Sequence, residues 1–160
     1  MALTFGGATS DRINCGNGST VNNLDPFTVL MWVRPTTLTN GRVIWQKGRL
    51  AGFGKQLQLT GTSGNIQIRV SRAANATPLS YSTTDTPLAL NTWAFVAVTF
   101  NSAGTAGLQG QIYAGTLAAS ATLRTVSGSD GTGTVDDDSS ASDPLIIAWA
   151  DWRPFPSADG

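Results

Sequence analysis

The chain lacks the residues on which several classes of enzyme depend. Its 160 residues include no histidine and no glutamate, and only one cysteine. Without histidine, a Ser-His-Asp or Cys-His centre has no general base, and a zinc site built from histidine and cysteine has too few ligands. A glycosidase would have to work with aspartate pairs alone, because no glutamate is present. We therefore predict that the protein is not an enzyme.

Charge is also scarce, and neither sign dominates. Ten basic residues balance ten aspartates, so the formal net charge is zero. The basic residues are scattered singly, which gives no patch for nucleic acid or for an anionic membrane. The N-terminal segment lacks the basic and apolar regions of a signal peptide, and no window reaches transmembrane length. These patterns predict neither a nucleic acid nor a membrane as a partner.

Glycine, threonine, serine and valine are abundant instead, and they favour strands joined by turns. The segment 27–33, FTVLMWV, is bracketed by prolines and is apolar on both of its alternating faces. Leu30 and Trp32 share one face, whereas Phe27, Met31 and the two valines share the other. Since neither face can be left in water without loss, we expect this segment to be a central strand that is covered on both sides.

The clearest hairpin is predicted for residues 55–71, where apolar and polar residues alternate on both sides of a turn at 61–64. The residues predicted to point inward are Leu57, Leu59, Ile66, Ile68 and Val70. We interpret the opposite face, which includes Gln56, as solvated. A second central strand is predicted at 93–100. By contrast, residues 125–143 are almost entirely Ser, Gly, Thr and Asp, which predicts a mobile or functional loop that adds nothing to the core.

Six motifs occur in an order that resembles a known family. They are LTFGGATSDRINCG, PFTVLMWVRP, RVIWQKG, GFGKQLQL, NTWAFVAVTFN and QIYAGT. Their order and spacing resemble the concanavalin A-like lectin/glucanase superfamily, in particular its laminin-G-like and pentraxin-like branch. The resemblance implies an all-β fold, an antiparallel two-sheet jelly-roll sandwich, in a single domain over residues 1–160. It also implies a non-enzymatic module for glycan binding or adhesion, since the glucanase members use catalytic glutamates that are absent here.

The resemblance raises a question about the last strand of the domain. In the family, a segment such as 152–160 leads into one more strand, which returns to the N-terminal strand at residues 2–5. We therefore expect that the domain lacks its last strand, or that this edge is filled by the aromatic tail or by another chain.

The resemblance also raises the question of calcium. Many members bind it through loop carboxylates, which are the hard oxygen donors that calcium prefers. The aspartates that could serve here are Asp130, Asp136, Asp137, Asp138 and Asp143. A solvated acidic loop is the simpler interpretation of these residues. We therefore predict no cofactor, with calcium as the alternative.

We predict a recognition module that binds carbohydrate or a protein surface. Aromatic rings would stack on sugar faces while amides bond to hydroxyl groups. The candidate ligand-binding residues are Gln109, Gln111, Tyr113 and Trp152. The alternative is a structural role in a homo-oligomer or larger assembly such as a virus or phage particle, and a glycan hydrolase is the least favoured function. Either of the first two functions predicts an extracellular or virion-associated protein.

Overall fold

The computed structural model describes residues 12–49, 53–73, 77–140 and 144–149. Within these ranges the only helical element is a 3-10 turn at Ser19–Val21. No helix in this part of the chain is long and apolar enough to cross a membrane. The strand predicted at residues 2–5 and the tail at 152–160 lie outside the described residues.

The described part of the chain forms two antiparallel sheets. In chain order the strands are β1 (Ile13–Asn14), β2 (Phe27–Val33), β3 (Val43–Arg49), β4 (Phe53–Thr60), β5 (Asn65–Val70), β6 (Leu79–Thr83), β7 (Ala94–Phe100), β8 (Gly110–Thr116), β9 (Thr122–Leu123), β10 (Val126–Ser129) and β11 (Leu145–Trp149). One sheet has the order β1-β11-β3-β4-β5-β6-β10, and the other has the order β2-β7-β8-β9. The prediction of an all-β, antiparallel two-sheet jelly-roll sandwich is confirmed.

The core lies between the two sheets and is built from the alternating residues of each strand that point inward. The hairpin of β4 and β5 supplies all five predicted inward residues, and each is at most 4% exposed. The facing sheet contributes Val96, Val98, Phe100 and Ile112. The ring of Phe27 packs against Trp45 with ring centroids 5.5 Å apart and against Phe100 at 5.2 Å. Burial of each such side chain stabilises the fold by about 1.5–3 kcal/mol.

The prediction that residues 27–33 form a central strand covered on both faces is wrong. Among the described strands β2 pairs only with β7, so it lies at the edge of its sheet. Leu30 is 63% exposed and Trp32 is 48% exposed. The apolar pattern could not reveal this position, because outward apolar residues occur on open sheet faces as well as under a second layer. The second predicted central strand is confirmed, since β7 lies between β2 and β8.

The polar segment 125–143 carries more structure than its composition predicts. It begins with β10, which pairs with β6, and Asp138 within it is fully buried. The prediction that this segment adds nothing to the core is therefore wrong, since Val126 and Val135 also pack against the core. Hydrogen bonds and ionic contacts can anchor a segment that has few apolar side chains. Gln56 is also buried rather than solvated, and it lies opposite the buried Gln46 of β3.

Candidate functional site

A cleft of about 770 Å³ lies at one end of the sandwich. It is found where β5 and β7 end and where β2 and β8 begin, so separate connections of the chain meet around it. Its polar lining includes Asn23, Asp25, Arg72, Ser102, Gln109 and Asp136. A concave site with a few convergent polar groups is the usual form of a small-molecule binding site.

Arg72 is the buried cation of this cleft. It is 7% exposed, and its guanidinium lies 5.6 Å from the centre of the Phe100 ring. Its Nη2 donates hydrogen bonds to Oε1 of Gln109 at 2.7 Å and to the backbone oxygen of Asp130 at 2.8 Å. Burial lowers the pKa of Arg72, although the charges of Asp25 and Asp130 oppose that shift. The buried Nε of Arg72 has no hydrogen-bond partner, so one donor of the group is unused.

Gln109 is fixed by the connection that joins β7 to β8. Its Nε2 donates to the backbone oxygen of Ser102 at 3.0 Å. The backbone nitrogen of Ser102 in turn donates to Oδ1 of Asp25 at 3.0 Å. These bonds link the loop before β2 to the loop after β7, so the polar groups on this side of the cleft are held in place before any ligand arrives.

Asp130, in the segment that follows β10, holds the same end of the sandwich together through hydrogen bonds. Its carboxylate accepts hydrogen bonds from the Tyr81 hydroxyl and from the backbone nitrogen of Gly107, each at 2.5 Å. Burial would raise the pKa of Asp130, but the hydrogen bonds from Gly107 and Tyr81 outweigh it and the pKa is lowered. Burial and the bond to Asp130 raise the pKa of Tyr81 to about 12. Asp130 therefore supports the cleft as an ionised group.

Asp136 differs from the other aspartates of the cleft because part of it is unsatisfied. It is 6% exposed, and its Oδ2 is buried with no hydrogen-bond partner. Burial raises the pKa of Asp136, and the nearby charge of Lys55 opposes that shift. The neighbouring Asp137 is exposed, and hydrogen bonds from Ser139 lower its pKa. A buried carboxylate oxygen without a donor is costly, so the group is a functional candidate.

A second exposed feature is the outer face of the four-stranded sheet. The strand register places Leu30, Ala97, Tyr113 and Leu123 in one row across it. Trp32 packs edge-on against Phe95 in the neighbouring row, with ring centroids 5.5 Å apart. We call the set Leu30, Trp32, Phe95, Tyr113 and Leu123 the apolar face. Contiguous apolar surface of this kind often marks an interaction site.

The four residues predicted from the sequence to bind a ligand do not come together. Gln109 lines the cleft. Gln111 and Tyr113 lie on the outward side of β8, where the Tyr113 hydroxyl donates to Oε1 of Gln111 at 2.9 Å. Trp152 lies outside the described residues. Sequence reasoning missed Arg72, Asn23 and Asp25, which carry no motif, and it considered Asp136 only as a metal ligand.

The calcium alternative requires carboxylates that converge. Among the described residues, no three acidic, histidine or cysteine side chains lie close enough together to hold a metal ion. Asp138 instead contacts Lys55 at 2.5 Å, and Asp130 is bonded to Tyr81. A site that includes Asp143 stays a prediction, since that residue lies outside the described part of the chain.

Comparison with known families identifies the architecture. A laminin G profile described as part of the concanavalin A-like lectin/glucanases superfamily matches residues 6–157. The match covers nearly the whole chain, so the chain belongs to this superfamily. A search of curated proteins finds no match to it. Because a fold of this kind is shared by proteins of different activity, the function has to be argued from the cleft and the surface.

Proposed function

We propose that this member of the concanavalin A-like superfamily is a non-enzymatic recognition module that binds carbohydrate in the cleft. The observation that carries the proposal is the pair of unsatisfied buried groups there, Nε of Arg72 and Oδ2 of Asp136. One is a donor and the other an acceptor. A sugar hydroxyl can accept from the first kind of group and donate to the second.

The charge of the cleft indicates which sugars fit. Three aspartates, Asp25, Asp136 and Asp137, line it beside a single cation, Arg72. The guanidinium is already bonded to Gln109 and to the backbone, so it is not free to form a bidentate pair with an anionic group. We therefore expect neutral sugars or amino sugars to bind better than sialylated or sulfated ones.

The test is a glycan array that includes neutral, amino and acidic glycans, followed by calorimetry with the best glycan. Gln109→Ala should weaken binding about tenfold, which corresponds to one lost hydrogen bond of roughly 1.4 kcal/mol. Gln111→Ala is the matched control, because it removes the same kind of side chain two residues further on, from the outward side of β8, and should leave the affinity unchanged. Equal losses in both variants, or an array without bound glycan, would contradict the proposal.

The absence of catalysis is tested with the same glycans. The chain has no glutamate or histidine, but Asp136 and Asp137 have pKa values shifted in opposite directions, which is also how acid and base pairs are prepared in enzymes. We expect no new reducing ends when the bound glycan is incubated with the protein. If the wild-type protein releases reducing ends and Asp136→Asn does not, the protein is a hydrolase instead.

A structural role in an assembly is the second candidate, and the apolar face favours it. Leu30 and Leu123 are each more than half exposed, at 63% and 54%, and Trp32 is 48% exposed. In a virus particle or an adhesive layer, contact with a neighbouring subunit would cover these side chains. Both kinds of assembly agree with the extracellular or virion-associated location that the sequence predicts. We expect Leu30→Asp to lower the oligomeric state measured by sedimentation if this role applies. A wild-type protein that stays monomeric at high concentration would exclude self-assembly through this face.

A further inference from the structure

Both lysines of the chain are buried side by side in the core. Lys47 of β3 is paired with Lys55 of β4, and the two are 0% and 1% exposed. Every other basic side chain in the sequence is an arginine. Lysine is among the residues that are almost never fully buried without a partner, so the surroundings of this pair need a chemical explanation.

Asp138 is the partner of Lys55 and is also fully buried. The Lys55 Nζ donates to Oδ2 of Asp138 at 2.5 Å. The other carboxylate oxygen, Oδ1, accepts from the backbone nitrogen of Asn23 at 2.6 Å, and the Asp138 nitrogen donates to Oδ1 of Asn23 at 2.9 Å. Lys47 holds the backbone oxygen of Asp138 at 2.6 Å. The carboxyl group is therefore immobilised with one oxygen against the Lys55 amine.

We propose that Lys55 and Asp138 form an isopeptide bond within the folded chain. A proton first passes from the Lys55 ammonium to the Asp138 carboxylate along their hydrogen bond, which gives a neutral amine and a carboxylic acid. The Nζ lone pair then attacks Cγ, so a C–N bond forms while a C–O bond breaks. One proton of the nitrogen goes to the departing hydroxyl group, which leaves as water. The sum is ammonium plus carboxylate giving amide plus water, with no oxidant or reductant.

The buried surroundings favour this condensation. Two charges held away from water carry a desolvation cost that their attraction repays only in part, and the amide that replaces them is neutral. The reacting groups are already in contact, so the loss of translational freedom that opposes an intermolecular reaction does not apply. The product would tie β4 covalently to the segment that borders the cleft.

We assign Asp136 as the group that relays the proton during the reaction. It lies two residues from Asp138, and the charge of Lys55 opposes the rise in its pKa that burial causes. Its Oδ2 is buried and has no hydrogen-bond partner, so this oxygen is open to a proton that leaves the nitrogen and returns to the leaving hydroxyl group.

The intact mass of the purified full chain tests the bond directly. We expect the protein to be lighter than its sequence by one water molecule. A tryptic digest should leave Lys55 uncut and should contain residues 50–69 joined to residues 125–160, because trypsin does not cut between Arg153 and Pro154. An amine-reactive label applied to the unfolded protein should modify Lys47 but not Lys55, which provides a second readout that is independent of mass.

Three variants define the bond and its assignment. Asp138→Ala should restore the full mass, Asp136→Asn should restore it while the circular dichroism spectrum stays native, and Lys47→Arg should keep the water loss. A folded wild-type chain of full mass in which both lysines react with the label would overturn the proposal. Loss of ammonia instead of water together with a Lys47 that does not react with the label would also overturn it, because these two results assign the bond to Lys47 and Asn17, whose side chains are 2.7 Å apart. Retention of the water loss in Asp136→Asn would remove the relay role.

Discussion

Replacing Asp138 by alanine would leave Lys55 in the core without the carboxylate that it contacts. The two side chains are 1% and 0% exposed and 2.5 Å apart, so the amine would face a small cavity instead of its counter-charge. Removal of one partner from a buried ion pair costs about 3–5 kcal/mol, because the remaining charge stays desolvated. Domains of this size have a total stability of about 5–15 kcal/mol. We expect Asp138→Ala to fold, with a much lower midpoint of urea denaturation.

The same reasoning predicts that a second substitution, at Lys55, restores much of the stability that Asp138→Ala loses. In the double variant Lys55→Met/Asp138→Ala the charge of Lys55 is gone, and an apolar side chain of similar length fills its space. Lys47, whose Nζ lies 3.9 Å from Oδ1 of Asp138, stays in both variants with its bonds to Asn17 and to the backbone of residue 138. The recovered part therefore measures the cost of the Lys55 charge alone. Any stability that comes from a covalent link between the two residues would stay lost in both variants, so the intact mass has to be recorded for each.

The measurement is urea denaturation followed by far-ultraviolet circular dichroism, and the coupling between the two sites is taken from the complete double-mutant cycle. Asp85→Ala is the control, since Asp85 pairs with Arg124 at 2.7 Å in a partly exposed position and should cost at most about 1 kcal/mol. A double variant no more stable than Asp138→Ala would refute the argument from buried charge. So would equal losses for Asp85→Ala and Asp138→Ala.

Four further predictions concern the core and the braces of the cleft. Trp32→Ala should cost about 1–2 kcal/mol and Phe100→Ala about 3–5 kcal/mol in urea, because only the second leaves a cavity. Tyr81→Phe should cost about 1.5–3 kcal/mol by breaking its bond to Asp130, measured in the same way. Gly128→Ala should release β10 in hydrogen exchange, since a Cβ would lie 1.8 Å from the Ser80 oxygen. The stability that Asp130 contributes is present above its unfolded pKa and lost as the pH falls through its lowered folded pKa. The melting temperature of Asp130→Asn should therefore fall less than that of the wild type when the pH is lowered.

The hairpin of β4 and β5 shows what a sequence pattern can predict. Leu57, Leu59, Ile66 and Ile68 alternate with polar residues across a glycine-bounded turn, and all four are buried as predicted. Such a pattern is local, because each strand carries its own inward and outward faces and the turn fixes the register. The order of motifs along the chain extended this local information to the whole sandwich.

The position of β2 shows what a local sequence pattern cannot predict. Trp32 and Leu30 are as apolar as any core residue, but whether their face is covered depends on strands and layers contributed by distant parts of the chain. The cleft is a stronger case of the same effect. Arg72 meets Gln109 across 37 positions of sequence and the backbone of Asp130 across 58. No spacing within one segment could have indicated that these groups meet.

The lysines of the core combine both situations. Lys55 has the same parity as Leu57 and Leu59 in β4, so the alternation already places it on the inward face. A charged residue at that position is acceptable only because Asp138 reaches it from 83 positions further along the chain, and the pattern contains no trace of that contact. The segment that supplies Asp138 also supplies Asp136 to the cleft. Substitutions between 136 and 138 therefore change the charges in the core as well as the lining of the cleft. A loss of glycan binding in such a variant is evidence for the site only when the free energy of unfolding of the same variant is also measured.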